Sequence, residues 1–475
     1  MVSSKPKRDG GFLNLFQFTA YVFFVILGFY LAFLVRFDMN PALENIQPFY
    51  DCISYIILSS LVVFYIYDIV SISKESLYEN ALTVIIALFL IDIFTVAIVF
   101  FARGFAFPRS VFILGFIIQF ALILFLKMLI IYIVEKNKKE KHILLIVSDD
   151  QKTNLINENF LRKKIKNNYI KCIYSSPNND INKLIDDVEE VYIDSKIPKE
   201  EKMELLEYCL LNNKVTYVIP GIFEISLANA EITQVNDILL LKFEQLGLSF
   251  EQKIVKRLMD ILISLIALVV TLPLMLLISL IIKLYDGGSV FYKQERVTEN
   301  NKVFELYKFR TMIVDAEKYT GPVLATENDP RITPVGRFLR ATRLDELPQF
   351  INVLKGDMSV VGPRPERPCF VEKFNDEIEE FKYRTFVKAG ITGLAQVLGR
   401  YSTDPANKAK FDLLYIKNYS LLLDIKIIFN TLKIIFMKES AAGVKGDENG
   451  ENLKKDILKD LDICSYAEIA AMKEK

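Results

Sequence analysis

Four long apolar segments mark the N-terminal part of the chain, at residues 12–35, 50–72, 81–101 and 110–134. Each is close to the roughly 20 residues that a helix needs to cross a bilayer. Buried helices of a soluble core are the alternative, but long runs in such close succession are rare there. No small-residue cleavage site follows the first segment, so a removable signal peptide is not expected. The pattern predicts a four-helix transmembrane region over residues 1–140.

Positive charge around these segments predicts their orientation. Lysines and arginines precede the first segment and follow the fourth, at Lys5, Lys7, Arg8, Lys136, Lys138, Lys139 and Lys141. Loops rich in these residues stay in the cytoplasm. Arg103 and Arg109 in the predicted outer loop weaken this bias locally, yet an even number of crossings returns the chain to its starting side. We therefore expect the rest of the chain to lie in the cytoplasm.

Shorter apolar runs occur between residues 141 and 249. They alternate with polar, helix-like segments, a pattern typical of a small α/β domain with a parallel sheet. A dinucleotide-binding fold needs a glycine-rich turn after its first strand, so that the backbone can approach a pyrophosphate. Here the first strand leads into Ser148, Asp149 and Asp150, and the two carboxylates repel phosphate. A structural or assembly role is therefore favoured over cofactor binding.

A fifth apolar run, residues 261–282, contains Pro273 near its middle. Proline removes a backbone hydrogen bond and clashes with the preceding turn, which bends or breaks a helix. Positive residues lie on both sides of the run, at Lys253, Lys256, Arg257, Lys283 and Lys293. This symmetry favours a re-entrant helix over residues 258–284, which enters the cytoplasmic leaflet and returns. A kinked helix that spans the membrane is the alternative.

Composition narrows the chemistry. Hydrophobic residues make up 52% of the chain, as suits a membrane protein, and the 58 basic and 58 acidic residues cancel. This balance predicts no nucleic-acid partner. His142 is the only histidine and the cysteines include no CxxC pair, which excludes a histidine cluster and leaves a zinc site little support. The candidates for a general acid, a general base or a nucleophile are therefore Asp, Glu, Lys, Tyr and Cys residues.

One stretch, residues 308–367, concentrates charge. It contains Lys308, Arg310, Asp329, Arg331, Arg337, Arg340, Arg343, Asp345, Glu346, Arg364, Glu366 and Arg367. Arginine suits phosphate because its planar guanidinium donates two parallel hydrogen bonds and stays charged. Arg337, Arg340 and Arg343 recur at every third residue, so on a helix they would form one stripe leading to the acidic pair. A solvated helix face is the alternative.

The pair Asp345 and Glu346 is the strongest candidate within this stretch. Pro348 suits the first turn of a helix, which would place both carboxylates just before the positive end of that helix. A carboxylate is held ionised there, and a phosphate is attracted to the same place. Adjacent acidic residues are usually solvated surface, but these are framed by arginines, a helix start and a membrane-inserted segment. We interpret them as a candidate nucleophile and metal ligand.

Many motifs also occur in one fixed order along the chain. They are Lys256-Arg257 with Asp260, Gly287-Gly288, and residues 307–312, 329–333, 336–340, 343–349, 352–366, 390–400 and 424–431. In this order they resemble the bacterial sugar transferases, the polyprenyl-phosphate hexose-1-phosphate transferase family, over residues 256–438. The remainder resembles the long form of that family in layout, of the undecaprenyl-phosphate glucose or galactose phosphotransferase kind. Short members carry serine before the helix-bending proline, where this chain has Leu272 and where Thr271 would have to substitute.

The resemblance implies a two-step reaction. An aspartate attacks the β-phosphate of a UDP-sugar, UMP leaves, and the phosphosugar passes to undecaprenyl phosphate. Asp345 matches the nucleophile, and Glu346 matches its acidic partner, which binds or orients Mg²⁺. Pro363 and Arg364 match a segment that contacts the nucleotide. The remaining substrate-binding candidates are Lys308, Arg310, Arg331, Arg340 and Arg343.

These inferences predict an α-helical membrane protein with an α/β soluble part. A degenerate Rossmann-like domain is expected over residues 141–249, a mainly helical catalytic domain with the re-entrant helix over 250–439, and a polar mobile tail over 440–475. The expected location is the bacterial inner membrane, with several spans and a cytoplasmic catalytic domain. The partners are a UDP-sugar, undecaprenyl phosphate and the bilayer, and a homo-oligomer is left open. The reaction would be the first membrane step in the synthesis of an exopolysaccharide, capsule, O-antigen or other glycan.

Two other functions stay open on the sequence. A membrane-tethered nucleotide-sugar dehydratase or epimerase also pairs four spans with α/β domains, but it needs a glycine-rich loop that residues 146–150 do not supply. A non-enzymatic polysaccharide assembly factor would leave the charges of residues 308–367 without a purpose. A further alternative concerns residues 415–437, whose helices either lie at the bilayer surface or pack on the catalytic core.

Overall fold

The structure is a computed structural model. It describes residues 11–71, 77–101, 108–136, 142–146, 169–174, 181–194, 197–227, 230–235, 238–242, 246–313, 316, 329–378, 380–399 and 403–435. These residues belong to two compact units. One unit joins the N-terminal helices to the chain from Leu246 onward, and the other contains the described residues between His142 and Lys242.

Four long helices open the first unit, as the apolar pattern predicts. They are α1 (Gly11–Arg36), α2 (Leu43–Tyr67), α3 (Leu77–Phe101) and α4 (Arg109–Lys136). All four are long and apolar enough to cross a membrane. Helices α1 and α4 approach closely because Gly28 has no side chain to overlap Gln119. The Gln119 amide donates to the Val25 carbonyl at 3.1 Å, which satisfies a polar group inside the apolar bundle.

The second unit contains the predicted parallel sheet. Its elements are β1 (His142–Ile146), β2 (Tyr169–Tyr174), α5 (Ile181–Asp186), β3 (Glu190–Ile193), α6 (Lys199–Leu211), β4 (Val215–Val218), α7 (Ile222–Leu227), β5 (Glu231–Val235) and β6 (Ile238–Lys242). Strands β1 to β4 are parallel in the order β2-β1-β3-β4, whereas β5 and β6 form an antiparallel hairpin that the sequence did not predict. Ser148, Asp149 and Asp150 lie outside the described residues, as does the predicted tail.

Helix α8 (Phe250–Asp286) carries the fifth apolar run and is also long and apolar enough to cross a membrane. It begins with a capping box between Ser249 and Gln252 and ends at Gly287, whose φ of 69° is a left-handed conformation that favours glycine. The backbone stays helical through Pro273. The Thr271 hydroxyl donates to the Ala267 carbonyl at 2.7 Å, a local bond that tends to bend a helix. The re-entrant course of α8 stays a prediction.

Short helices and two-stranded sheets complete the first unit. They are β7 (Phe291–Val297), β8 (Val303–Phe309), α9 (Pro334–Ala341), α10 (Gln349–Lys355), β9 (Ser359–Val361), α11 (Pro368–Glu377), β10 (Gly390–Thr392), α12 (Leu394–Leu398), α13 (Pro405–Lys417) and α14 (Leu421–Ile435). Strands β7 and β8 pair antiparallel, and β9 and β10 pair parallel. Short 3₁₀ turns cover Glu299–Asn301, Leu344–Glu346 and Phe381–Phe386. We call the region from β7 to α13, which lies within the predicted catalytic domain, the catalytic core.

Polar side chains near the start of α8 fix this helix to the catalytic core. Arg257 donates to the carbonyls of Val353 at 2.6 Å and Leu354 at 2.8 Å, where α10 ends. Asp260 is buried and accepts hydrogen bonds from the Ser359 hydroxyl and the Val360 amide, both at 2.9 Å. Helix α8 is therefore packed on the catalytic core through polar contacts, although most of its length is apolar.

Helix α14 contacts both the catalytic core and the N-terminal helices. Its Asp424 forms a buried ion pair of 2.6 Å with Lys256 of α8 and accepts a 2.8 Å hydrogen bond from Tyr415. On another side, Phe429 packs with the hydrophobic core of α1 to α4, and its carbonyl accepts a 2.9 Å hydrogen bond from Tyr67 of α2. These contacts support packing on the protein as the role of this helix.

Candidate active site

The acidic pair lies on a tight turn between two short helices. Helix α9 starts at Pro334, where the Thr333 hydroxyl accepts a hydrogen bond from the Gly336 amide, and it ends at Ala341. Arg343 has a φ of 55°, a left-handed conformation that stops the helix and turns the chain. The predicted arginine stripe is therefore wrong at this residue, which is off the helix. Helix α10 then begins at Gln349, directly after Pro348.

Glu346 is held by two cations from other parts of the core. Its Oε1 atom accepts hydrogen bonds from Lys308 Nζ at 3.0 Å and from Arg364 Nη2 at 2.9 Å. Burial alone raises the pKa of a carboxyl, but the positive charges of Lys308, Arg364 and Arg343 outweigh it and lower the pKa of Glu346 well below its usual range. Glu346 is therefore a fixed negative charge at neutral pH.

Asp345 has a different environment although it is the next residue. Its side chain is buried, with only 8% of the residue exposed. Burial raises the pKa of this carboxyl, the Lys308 charge lowers it in part, and the neighbouring charge of Glu346 raises it again. Two adjacent carboxyls with pKa values pushed apart are typical of sites where one group reacts and the other orients or binds charge.

The turn that carries both carboxylates packs on an apolar cluster to which helix α8 contributes. Leu344 and Leu347, on either side of the pair, pack against a cluster formed by Phe309, Leu339 and three residues of α8, namely Met275, Ile278 and Ile282. Pro273 lies just before this cluster on α8 and is not itself within the site. The acidic pair thus lies next to an apolar cluster that links its turn to helix α8.

Two of the predicted arginines lie near the end of β8: Arg310 directly follows the strand, and Arg340 of α9 binds the next residue, Thr311. Arg340 donates from Nε to the Thr311 hydroxyl at 2.9 Å, and its charge lowers the pKa of Asp345 in part. Arg310 is buried against Gly288, where any side chain would overlap the guanidinium. The Gly287-Gly288 motif therefore makes room for this arginine.

Arg331 forms a local pair instead. Its Nη2 atom lies 2.6 Å from Asp329 Oδ2, its Nε atom also donates to that carboxylate, and the two residues form one turn. The hydrogen bond from Arg331 lowers the pKa of Asp329 and outweighs burial, which would raise it. The described contacts bring Lys308 and Arg364 to the acidic pair, whereas Arg331 binds the Asp329 carboxylate.

Pro363 and Arg364 lie in the loop between β9 and α11. Pro363 is buried, whereas the Arg364 side chain is 41% exposed and reaches Glu346. Three buried or half-buried residues that support this loop were missed from the sequence: Arg296, Arg384 and Asp412. No local pattern marks them, because Arg296 lies on β7 before the charged stretch and the other two lie after it.

The acidic pair also provides a test for the Mg²⁺ that the resemblance implies. Among the described residues, no group of three or more His, Cys, Asp or Glu is placed to hold a metal. Mg²⁺ usually takes only one or two carboxylates and completes its shell with water and substrate phosphates. The hydrogen bonds from Lys308 and Arg364 both fall on Oε1 of Glu346, so Oε2 can bind a metal without losing them. The carboxylate donors fit a cation that is shared with a phosphorylated substrate.

Comparison with known proteins places this site in a family. Residues 251–438 match the family model for bacterial sugar transferases. The UDP-N-acetylgalactosamine-undecaprenyl-phosphate N-acetylgalactosaminephosphotransferase of Aeromonas hydrophila is 42% identical over 236 residues, which cover 48% of this chain and 54% of the relative. The UDP-glucose:undecaprenyl-phosphate glucose-1-phosphate transferase of Escherichia coli K12 is 36% identical over 261 residues, 54% of this chain and 56% of the relative.

The matches with these two relatives thus span about half of their length. A Bacillus subtilis (strain 168) protein, provisionally named an undecaprenyl-phosphate N-acetylgalactosaminyl 1-phosphate transferase, is 54% identical over 130 residues. These residues make up 27% of this chain and 72% of that relative. Together with the family-model match over the catalytic core, this similarity means that the chain belongs to the bacterial sugar transferase family.

Proposed function

We propose that this protein transfers a hexose 1-phosphate from a UDP-sugar to undecaprenyl phosphate and releases UMP. The observation that carries the proposal is the buried Asp345 carboxyl, next to a Glu346 carboxylate fixed by Lys308 and Arg364. Relatives named for undecaprenyl-phosphate sugar transfer supply the substrate classes.

In the first step, Asp345 acts as the nucleophile. A carboxylate oxygen attacks the β-phosphorus of the UDP-sugar, the bond from that phosphorus to the UMP oxygen breaks, and UMP leaves with the electron pair. The sugar phosphate is then bound to Asp345 as an acyl phosphate. In the second step, a phosphate oxygen of undecaprenyl phosphate attacks the same phosphorus, and the Asp345 carboxylate leaves. Splitting the transfer in this way is the general advantage of covalent catalysis.

Cationic side chains prepare the site for this transfer. Lys308 and Arg364 lie within hydrogen-bond distance of Glu346, so an incoming pyrophosphate meets positive charge beside the nucleophile. Arg310, Arg340 and Arg343 are proposed as further phosphate contacts, and Pro363 with Arg364 as the segment next to the nucleotide. Arg331 is proposed to contact substrate only after its bond to Asp329 opens.

Glu346, through Oε2, and the substrate phosphates would hold Mg²⁺. The cation, when bound, neutralises charge on the pyrophosphate. Glu346 itself orients the neighbouring cations, because its low pKa keeps it ionised across the working pH range. It also disfavours a second negative charge on Asp345, which keeps that group reactive when ionised.

Helix α8 is proposed to enter and leave the membrane on the cytoplasmic side. At 1.5 Å per residue its 37 residues extend about 55 Å if straight, more than the hydrocarbon core of a bilayer. Arg257 and Asp260 near one end, and Met275 and Ile282 near the other, contact the same catalytic core. Contacts from one folded core to both halves of the helix favour a course that bends at Pro273 and keeps both ends on one side of the membrane.

The remaining parts would place this chemistry in the cell. Helices α1 to α4 are proposed to span the bacterial inner membrane, with the catalytic core on the cytoplasmic face where nucleotide sugars are found. The four-stranded parallel sheet of the second unit suits a Rossmann-like domain with a structural or assembly role. The reaction would begin the membrane phase of exopolysaccharide, capsule, O-antigen or other glycan synthesis.

The direct test is an activity screen. Membranes that contain the full chain are incubated with undecaprenyl phosphate and a panel of UDP-hexoses and UDP-N-acetylhexosamines, and UMP release is measured. At least one donor is expected to release UMP and to give a lipid-linked sugar phosphate. Asp376→Asn, an exposed carboxylate on α11, serves as the matched control for changes at Asp345. Absence of UMP release with every donor, in membranes where the protein is folded, would rule the proposal out.

A further inference from the structure

The loop around Arg364 is fixed by hydrogen bonds to four successive backbone carbonyls. Gly390 N donates to the carbonyl of Pro363 at 2.9 Å, and Arg384 Nη2 donates to that of Arg364 at 2.9 Å. The next two carbonyls accept from Arg296 Nη1 at 3.0 Å and from the Val297 amide at 2.9 Å. The donors come from β10, the Phe381–Phe386 turn and β7. Each of these four carbonyls is therefore held by an element outside the loop.

Arg384 is itself held in place before it reaches the loop. Its Nε atom donates to Asp412 Oδ2 of α13 at 2.6 Å, and both residues are buried. Its guanidinium carbon lies 4.6 Å from the centre of the Phe381 ring. Because the guanidinium is planar, its bond to Asp412 and its contact with the Phe381 ring together fix its orientation. In this orientation Nη2 points to the Arg364 carbonyl.

Fixing this backbone has a consequence for the acidic pair. Arg364 lies between two prolines, whose rings restrict the backbone on either side. Its side chain extends to within 2.9 Å of Glu346, so the position of the loop determines where that guanidinium lies. A small shift of such a group is enough to weaken catalysis strongly.

We propose that Arg384, oriented by Asp412, and Arg296 are positioning residues that fix Arg364 at Glu346 by binding the carbonyls of residues 364 and 365. The inference rests on the proposed function, since it assigns a role within that site. A buried ion pair is weak evidence for stability alone, because apolar residues of similar size are often as stabilising. The Arg384–Asp412 pair is better explained by the donor that it presents to the loop.

A double-mutant cycle tests this in the full chain. The paired change R384Q with D412N keeps both sites polar and neutral, and it is combined with R364Q. UMP release is measured as kcat/KM, and folding by thermal unfolding. If Arg384 acts through Arg364, the paired change lowers kcat/KM by about tenfold or more when Arg364 is present. In the R364Q background the same change lowers it by less than about twofold.

Arg257 provides a matched control, because it also donates to two backbone carbonyls but at the end of α10. The effect of R257Q is expected to multiply with that of R364Q. If the R384Q–D412N effect multiplies in the same way, the positioning role is wrong and the pair only supports the fold. Should that variant not accumulate as folded protein, R296M in the same cycle decides, since Arg296 binds the next carbonyl.

The cycle also separates this inference from the proposed function. An unmutated chain that releases no UMP overturns the proposed function and this inference with it. An active chain that is unaffected by R364Q overturns the role of Arg364, and therefore its positioning as well. An active chain in which R364Q is impaired and the two changes multiply overturns the positioning residues alone.

Discussion

Arg364 and Glu346 form a 2.9 Å ion pair between a loop and a turn that are 18 residues apart in the chain. Lys308 of β8 binds the same carboxylate oxygen at 3.0 Å. One acidic residue thus collects two cations at the point where a phosphate is expected, while the adjacent Asp345 is buried and accepts neither bond. This division would let neighbouring carboxylates serve as the proposed nucleophile and as a fixed anion.

Asp345→Asn is the first test of that division. An amide does not form the acyl phosphate, so UMP release should fall by about a thousandfold or more while insertion and folding persist. Near-normal release by this variant would remove Asp345 as the nucleophile. The exposed-site change Asp376→Asn is expected to leave release unchanged.

Glu346→Gln tests the other half of the pair. Its neutral amide loses two charge-assisted hydrogen bonds and a carboxylate for Mg²⁺, so activity should fall by about ten- to hundredfold and depend less steeply on Mg²⁺. UMP release is measured across a Mg²⁺ titration. An unchanged rate together with an unchanged metal response would exclude Glu346 from the site.

The pH profile should report Asp345. The attacking group must be ionised, and its pKa is raised by burial. Activity is therefore lost as pH falls through this raised pKa, at a higher pH than for an ordinary aspartate. The charge of Lys308 lowers the pKa of Asp345, so Lys308→Met should move the acidic limb of the pH profile to higher pH. The charge of Glu346 raises that pKa, so Glu346→Gln should move the limb to lower pH.

Lys373→Met is the control for the pH experiment, because Lys373 is exposed on α11 and outside the site. It should leave the acidic limb in place. Shifts of Lys308→Met and Glu346→Gln in the same direction would contradict the assignment of that limb to Asp345.

Parts of the site could be predicted from the sequence because their signal is local. Asp345 and Glu346 are adjacent, and Pro348 marks the nearby helix start. The four N-terminal helices and the parallel strands follow from apolar runs and their lengths. Arg343 was misplaced because the spacing of arginines does not reveal a left-handed residue that ends the helix.

Other relationships depend on distant contacts. Arg384 and Asp412 are 28 residues apart, and Lys256 and Asp424 are 168 apart. A local sequence pattern therefore does not reveal that the members of either pair bind each other. Tyr67 and Phe429 are separated by 362 residues. Such contacts are set by packing of whole helices, which periodicity predicts only as a buried face.

The contact between α2 and α14 yields a stability prediction. Tyr67→Phe removes the hydrogen bond to the Phe429 carbonyl, which should cost about 1 kcal/mol and lower the unfolding temperature by roughly 2–4 °C. Tyr55→Phe, an exposed tyrosine of the same helix, should have no such effect. Equal effects of the two changes in thermal unfolding would mean that the α2–α14 bond does not stabilise the unit.

A shortened chain extends this test. A protein that starts at Phe250 keeps α8 and every candidate site residue, so some UMP release in detergent or lipid is expected, with a lower unfolding temperature. If this shorter protein is folded and bound to membranes but wholly inactive, the N-terminal helices contribute more than stability.

The course of α8 can be tested by labelling. In a chain without the five native cysteines, single cysteines at Gln252, in the first turn of α8, and at Lys293 flank the apolar run of residues 261–282. Both should be protected from an impermeant thiol reagent in intact cells and labelled once the cells are opened. Protection of position 252 with labelling of position 293 in intact cells would show a true span.

Pro273→Ala completes the topological test. Restoring the missing hydrogen bond favours a straight helix, which should reduce activity by exporting or misfolding the catalytic core. Labelling of position 293 in the Pro273→Ala variant should then rise relative to the unmutated helix. Full activity with unchanged labelling would mean that Pro273 does not set the course of α8.

The covalent intermediate is the most direct test of the central claim. The purified full chain is incubated with the UDP-sugar that releases UMP, without undecaprenyl phosphate, and then acid-quenched, digested and measured by mass spectrometry. We predict one sugar phosphate on the peptide that contains Asp345, its loss on adding undecaprenyl phosphate, and its absence in Asp345→Asn. Turnover without any adduct, or an adduct on another residue, would contradict the account.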